Sequence, residues 1–197
     1  MSSYTRQQLE SYLKTIDVKC ERCLDIGGSQ NPTKGRTKSW DVKDYKILDL
    51  EKPHEKKKAP DIILDIQERD LYGSIDYREW LKYFDVAFCM EVSEYWYRPY
   101  NALRNITYFL KPGGILYISF HFIYKMHAPY GLDYLRYTPF GAKKLLEENG
   151  LEIIEEVNRL ANSDLLTMYY ECDKMRGIKD NNVNHNVIGS LIKAKKM

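Results

Sequence analysis

Seven short apolar runs are spaced along the chain, and the segments between them carry helical or turn patterns. The runs cover residues 18–26, 46–50, 61–65, 84–89, 115–120, 151–157 and 187–194. Each has the length of a strand, and none approaches the roughly 20 residues that a membrane helix needs. Ahead of the first run, Leu9, Tyr12, Leu13 and Ile16 recur at helical spacing and predict an amphipathic helix over residues 1–17. Two further helical patterns occupy residues 99–110, closed by "KPGG", and 139–149, closed by Gly150. Proline suits the first turn of such a helix and glycine its left-handed cap. Strands alternating with helices predict an α/β fold with a mostly parallel sheet and helices on both faces. Between the last two runs, residues 159–186 read as an insertion, a helix in "DLLTMYYECDKM" followed by a polar loop.

With 197 residues, 44% of them hydrophobic, the chain can bury one ordinary core and is short for two, so a single domain over 1–197 is expected. Thirty Lys and Arg against 28 Asp and Glu leave +2, too little for an electrostatic footprint on nucleic acid or a membrane surface. The one basic cluster, "EKPHEKKKAP", is broken by acids and prolines and reads as a solvated loop. The N-terminal stretch "MSSYTRQQLESYLKTID" lacks the apolar centre of a signal peptide, so a cytoplasmic protein is expected. Cys20, Cys23, Cys89 and Cys172 make no disulfide framework, and Cys20-x-x-Cys23 has no second pair at zinc-site spacing.

The first run ends as "CLDIGGSQNP", a strand passing into a glycine-opened turn with Asp25 at its base. In an open parallel sheet, ligands settle beyond the carboxyl ends of the strands. Gly27 and Gly28 there permit positive φ and a close approach of backbone to ligand. Acids recur at the next strand ends. Asp49 closes the second run, where a carboxylate accepts hydrogen bonds from vicinal ribose hydroxyls, and Asp65 in "DIILDIQE" stands to accept one from an exocyclic adenine amine. An acid within the turn would repel a pyrophosphate, and no Gly-x-Gly-x-x-Gly is present to bind one. The pattern fits an adenosine that carries positive charge, as S-adenosylmethionine does.

The series "CLDIGGSQNP", "ILDLE", "DIILDIQE", "FDVAFCMEVSEY", "LKPGGILYISF" resembles the motif order of class I S-adenosylmethionine-dependent methyltransferases over about residues 20–158. The stretch "HFIYKMHAPYGLDYLRYTPFGAKKLLEENGLEI" is similar to small bacterial type-11-like members, often linked to polysaccharide or sugar modification. The resemblance implies a Rossmann-like sheet of seven strands with the last antiparallel. It also implies S-adenosylmethionine held by the first four strand ends. Asp25 and Gly27, with Gly28 and Ser29, would support its methionine end. Asp49 and Leu50 would take the ribose, Asp65 the adenine with Ile66 packed on the ring, and Met90 and Glu91 would complete the site. Two departures stand out: Ser29 and Asn31 replace the second and third glycines, and Glu51 is placed to compete with Asp49.

After the fourth run comes "CMEVSEYWY". Some members carry Glu-x-x-Glu-His there and hold a divalent metal with it. Here Glu91 and Glu94 fit but Tyr95 replaces the histidine, and a phenol is a poor ligand, so no metal is expected. The alternative role for Glu91 is a buried carboxylate bonded to backbone amides of the glycine turn. After the fifth run, His121, Tyr124, His127, Asp133, Tyr134 and Arg136 crowd together in a segment rich in aromatics. Aromatic faces beside polar side chains suit a small-molecule or glycan acceptor, with Tyr95, Tyr124, Asp133, Tyr134 and Arg136 as its contacts. A structural lid with Asp133 paired to Arg136 is the other reading of that segment. An oxygen acceptor must lose a proton, for which His127 first and His121 second are the candidate bases. The rival functions are an RNA or nucleotide methyltransferase and a non-catalytic S-adenosylmethionine-binding partner subunit.

Overall fold

The computed structural model describes residues 3–53, 58–69, 71, 75–161 and 186–197. Its strands are β1 (Asp17–Ile26), β2 (Ser39–Asp49), β3 (Ile62–Ile63), β4 (Phe84–Cys89), β5 (Leu110–His121), β6 (Leu151–Leu160) and β7 (Val187–Lys196). They form one sheet in the order β3-β2-β1-β4-β5-β7-β6, parallel from β3 to β5, with β7 antiparallel to both β5 and β6. The chain moves outward from β1 to β3 and then returns to pair β4 beside β1. That reversal leaves a crevice at the carboxyl ends of β1 and β4.

Alternation within the strands sorts side chains onto two faces. Leu24, Ala87, Leu116 and Ile118 pack with Leu103 and Ile106 of α2 (Pro99–Phe109) and Leu146 of α3 (Pro139–Glu148). Their neighbours Cys23, Phe88, Tyr117 and Leu191 pack against Leu9, Tyr12 and Leu13 of α1 (Tyr4–Leu13). Helices therefore cover both faces, as the alternation of runs predicts. The connection from β1 to β2 contains turns but no helix, so α1, which precedes the sheet, screens that face instead. Two contacts fix α1 in place: Arg36 from the β1–β2 connection pairs with Glu10 at 2.8 Å, and Gln8 exchanges hydrogen bonds with the backbone of Leu160. Ser3 and Thr138 cap α1 and α3 with their hydroxyls, each worth about 1 kcal/mol.

Three boundaries differ from the sequence reading. β2 begins at Ser39, well before the apolar run, because Trp40 and Val42 are half-buried and alternate with exposed Asp41 and Lys43. "KPGG" lies inside β5 as a bulge, between the pairs Phe84–Leu110 and Val86–Ile115, with Gly113 at φ +77. β6 runs on to Leu160, so Arg159 is a strand residue paired with Gly189 and not the start of an insertion. Of the helix and loop expected over residues 159–186, residues 162–185, with Cys172, lie outside the described residues, as do residues 54–57 of the basic cluster.

Candidate active site

A cleft of about 250 Å³ opens at the carboxyl ends of β1, β2 and β4 and over the segment after β3. Ile26, Leu48, Leu64 and Ile66 give it an apolar floor, and Asp49 and Asp65 stand on its wall. Gly27 lines it at φ +74, and a Cβ there would overlap the side chain of Val92. Only glycine both adopts that conformation without strain and keeps β1 close to the segment after β4. The Asp49 carboxylate accepts from the backbone of Leu50 (2.8 Å) and Ser29 (3.2 Å), which turns the chain after β2 toward the glycine turn. Asp65 accepts from the backbone and side chain of Gln67. Gln67 in turn accepts from Tyr97 and Arg98, while Asn105 of α2 donates to the carbonyls of Ile66 and Glu68. The wall after β3 is thus clamped from α2.

Of the residues expected at the cofactor end, Gly27, Asp49, Leu50, Asp65, Ile66 and Glu91 line the cleft. Asp25 is buried beneath it and accepts from the backbone and hydroxyl of Thr33 (2.7 and 2.8 Å) and from the phenol of Tyr45. Burial pushes its carboxyl up, against the pull of those three hydrogen bonds. A Cβ on Gly28 would meet that carboxyl at 2.8 Å, so Asp25 and Gly28 brace the turn from behind. Ser29 is fully buried and joins the turn to Asp49 and Lys58 through its backbone. Met90 packs on the α1 face with Phe88 and Tyr117.

The other end of the cleft is built from side chains that meet across strands. Glu91 lines the cleft at φ +59, a conformation costly for a residue with a Cβ. Several contacts fix it there. Ser119 Oγ accepts from its backbone and donates to Oε1, Arg159 Nη2 donates to Oε1 at 2.6 Å, and His121 Nε2 lies 3.0 Å from Oε2. The carboxylate is therefore held by side chains of β5 and β6 and not by amides of the glycine turn. Burial alone would raise the Glu91 carboxyl, but the Arg159 guanidinium and His121 outweigh it and hold the group far below the usual range. Arg159 reaches this point from β6 across β7 because Gly189 lies between them, where a Cβ would stand 2.5 Å from the Phe120 carbonyl. Its Nη1 is 3.4 Å from His121 Nδ1. A guanidinium only donates, so Nδ1 accepts and the His121 proton sits on Nε2, facing Glu91.

His121 ends β5, fully buried and stacked on Tyr124 at 4.2 Å, whereas His127 is half-exposed in the segment beyond. Tyr95 lines the cleft and donates its phenol proton to the Ala128 carbonyl, and its oxygen also bonds His127 Nδ1. With the phenol proton so placed, Nδ1 is the donor and Nε2 keeps a lone pair. Burial first, and then His121, lower the His127 pKa below its ordinary 6.5. Asp133 pairs with Arg136 through both carboxylate oxygens and accepts from the His127 backbone, while Arg136 also donates to the carbonyls of Tyr124 and Lys125. These two residues knit the segment after β5 together. Tyr134 and Leu132 line the cleft from it, with Tyr134 edge-on to Tyr97.

Sequence reasoning missed Gln30, Gln67, Val92, Tyr97 and Leu132 in the lining, and Arg159 beside it. The only signal for Arg159 is indirect, a glycine inside the last apolar run. Among the described residues no group of three His, Cys, Asp or Glu side chains has the arrangement of a metal site.

Residues 41–118 match a family model described as a methyltransferase domain, and no curated protein sequence matches the chain. Among solved structures, the chain is similar to an S-adenosylmethionine dependent methyltransferase from Mesorhizobium loti, with 15% identity over 99% of each chain and a TM-score of 0.63. It is also similar to phosphoethanolamine N-methyltransferase 2 of Haemonchus contortus, solved with S-adenosyl-L-methionine, at 13% identity over 97% of this chain and 52% of that one, TM-score 0.58. The cyclase SpnF shares the fold at 17% identity over 96% and 80% of the two chains, TM-score 0.58. Likeness at that level speaks for architecture, and a fold by itself assigns no activity. The strand order is that of the class I methyltransferase fold, residues 41–118 match a methyltransferase domain, and an acid-lined cleft lies beside a required glycine. The donor set fits S-adenosylmethionine: carboxylates for a nucleoside that carries a sulfonium and an ammonium, an apolar floor for its base, and, among the described lining residues, no lysine or arginine to hold a phosphate.

Proposed function

We propose that the protein methylates a hydroxyl group on a small-molecule or sugar-containing acceptor. The observation that carries this reading is the pair formed by Tyr95 on the cleft wall and His127 behind it, a free-base imidazole at neutral pH with Nε2 available to take a proton. When bound, S-adenosylmethionine supplies a methyl group already activated on a sulfonium. The chain is left to orient the partners, which is worth about 7–11 kcal/mol, and to remove the hydroxyl proton. In this reading Asp49 holds the ribose hydroxyls, and Asp65 and Ile66 hold the adenine. Tyr95, Tyr97, Leu132 and Tyr134 form an aromatic and apolar wall for the acceptor, steadied by Asp133 and Arg136. The same reading places the enzyme in the cytoplasm, without a nucleic-acid or membrane partner. No helix among the described residues is long and apolar enough to cross a membrane, and the net charge is +2.

The test is transfer of label from S-adenosylmethionine to paired hydroxyl and amine acceptors of the same skeleton, followed by kinetics of His127→Ala. With a hydroxyl acceptor, kcat falls roughly 10²–10⁴-fold while cofactor affinity, measured by calorimetry, stays as in the wild type. A variant that keeps wild-type kcat from about pH 6 to 9 would show that His127 is not the base.

A further inference from the structure

Glu94 follows β4 by five residues and is 1% exposed, yet neither of its carboxyl oxygens has a hydrogen-bond partner. Its backbone is fixed, since the carbonyl accepts from Tyr134 (2.8 Å) and Leu135 (3.1 Å). Its Oε1 lies 3.6 Å from His127 Nδ1 and 3.6 Å from His121 Nε2. A buried carboxylate without donors is strongly disfavoured, so such a group is either kept protonated or ready to accept a proton. The groups around it come from every neighbouring element. They are Cys89 and Glu91 at the end of β4, Tyr95 beside it, and His121 on β5. His127, Asp133, Arg136 and Tyr137 lie in the segment after β5, and Arg159 on β6. Of these, His127 alone combines a titratable ring nitrogen within 3.6 Å of Glu94, shared with the Tyr95 phenol, with partial exposure.

We propose that Glu94 is a positioning residue that receives, through His127, the proton an acceptor hydroxyl gives up. The O–H bond of the acceptor breaks with its electron pair left on oxygen, and a new N–H bond forms at Nε2. The proton already on Nδ1 leaves its hydrogen bond to the Tyr95 oxygen and passes to Oε1 of Glu94, which turns from carboxylate to acid. A shift of about 0.7 Å brings Nδ1 and Oε1 to ordinary hydrogen-bond distance. The ring ends neutral with its proton on the other nitrogen, so no imidazolium has to persist in a poorly solvated place. The order of basicity favours that direction. Burial first, and then the charge of Glu91, raise Glu94 to about 7, whereas His127 lies below 6.5.

The inference rests on the hydroxyl-acceptor reading, but its central test needs neither cofactor nor acceptor. Infrared difference spectra of the wild-type protein between about pH 5 and 9 will show a protonated carboxylic acid that titrates near pH 7, and Glu94→Gln will lack it. NMR of the wild-type histidines will show His127 responding to that same titration, with the response lost in Glu94→Gln. A wild-type spectrum without such an acid, or a His127 signal indifferent to Glu94→Gln, overturns the relay and leaves the methyltransferase reading standing. If Glu94→Gln does not fold, a second His127 inflection near pH 7 in the wild type decides the matter, and its absence overturns the proposal. In kinetics with a hydroxyl acceptor, Glu94→Gln lowers kcat about 10–100-fold and moves the acid limb from near pH 7 to below 6.5, with cofactor affinity unchanged. Methylation of amines alone, with the titration intact, removes the substrate of the relay and overturns both readings together.

Discussion

The acids of the two ends of the cleft are held by different kinds of partner. Asp25 takes its hydrogen bonds from Thr33 and Tyr45, Asp49 from Ser29 and Leu50, and Asp65 from Gln67, all within twenty residues and mostly from backbone. Glu91 takes its from Ser119 and from Arg159, 28 and 68 residues away, and His127 meets Tyr95 over 32. Carboxylates fed by their own loops survive changes elsewhere in the sheet. A carboxylate held by a side chain from a distant strand depends on the packing of that strand, and its charge is a liability once the partner goes.

The sharpest way to break the comparison is Arg159→Met. It leaves Glu91 buried without its counter-charge and should cost about 3–5 kcal/mol in chemical denaturation. Glu91→Gln in the same chain should recover most of that loss, because no charge is then left unpaired. Recovery of nothing would mean that Arg159 stabilises by packing over Gly189 rather than by charge.

Next in size is a pH effect at the same end. Glu94 is raised from 4.5 to about 7 in the folded protein, so the folded state holds its proton more tightly than the unfolded chain does. Stability from that proton is fully present below the unfolded value and is lost as pH rises through about 7. Over that window wild type should lose about 3 kcal/mol relative to Glu94→Gln, read as the change in their stability difference between about pH 4.5 and pH 8. A stability difference that is flat with pH would place the Glu94 carboxyl at an ordinary value.

At the cofactor end the effect should fall on binding and not on folding. Asp49→Ala should weaken S-adenosylmethionine binding by about 1.5–3 kcal/mol in calorimetry, the scale of a hydrogen bond to a charged group, with the denaturation midpoint little moved. Glu51→Ala should leave affinity unchanged. The reverse result would hand the ribose to Glu51.

What could be read beforehand follows the same division. Gly27, Asp49 and Asp65 sit where an apolar run stops, and a run's end is visible without knowing what lies beside it. Asp25 shows the limit of that reasoning. It shares a strand parity with Cys23, opposite to Leu24 and Ile26, but which face turns toward the ligand is decided by the neighbouring strands and by Tyr45 of β2. Arg159 was illegible for a further reason. Its position follows from antiparallel pairing with β7 across residues 162–185, and "EEVNRLAN" taken alone looks like the end of a strand and not its continuation. His121 and His127 lie six residues apart, and the sequence reading ranks His127 ahead because His121 directly follows the fifth run. The end of β5 separates them, one buried in the charge cluster and the other half-exposed beside the cleft.

The smallest expected effect is none at all, and it concerns metal. Glu91 and Glu94 keep the spacing with which a Glu-x-x-Glu-His arrangement binds a divalent ion, so a metal-dependent enzyme would need both carboxylates free to ligate. Glu91 Oε1 is instead taken by Arg159 at 2.6 Å and by Ser119 at 2.8 Å, and the histidine position holds Tyr95, whose phenol is engaged with Ala128 and His127. A divalent ion at Glu91 would have to displace a guanidinium or sit against it, and that repulsion in a buried place opposes binding. Exhaustive chelation should therefore leave the rate unchanged, and added magnesium, manganese or zinc should not raise the melting temperature of the cofactor-free protein. Activity lost to the chelator and restored by one of those ions would mean that Arg159 swings away from Glu91 in the working enzyme. The two ends of the cleft would then differ in their need for an ion as well as in the origin of their hydrogen bonds.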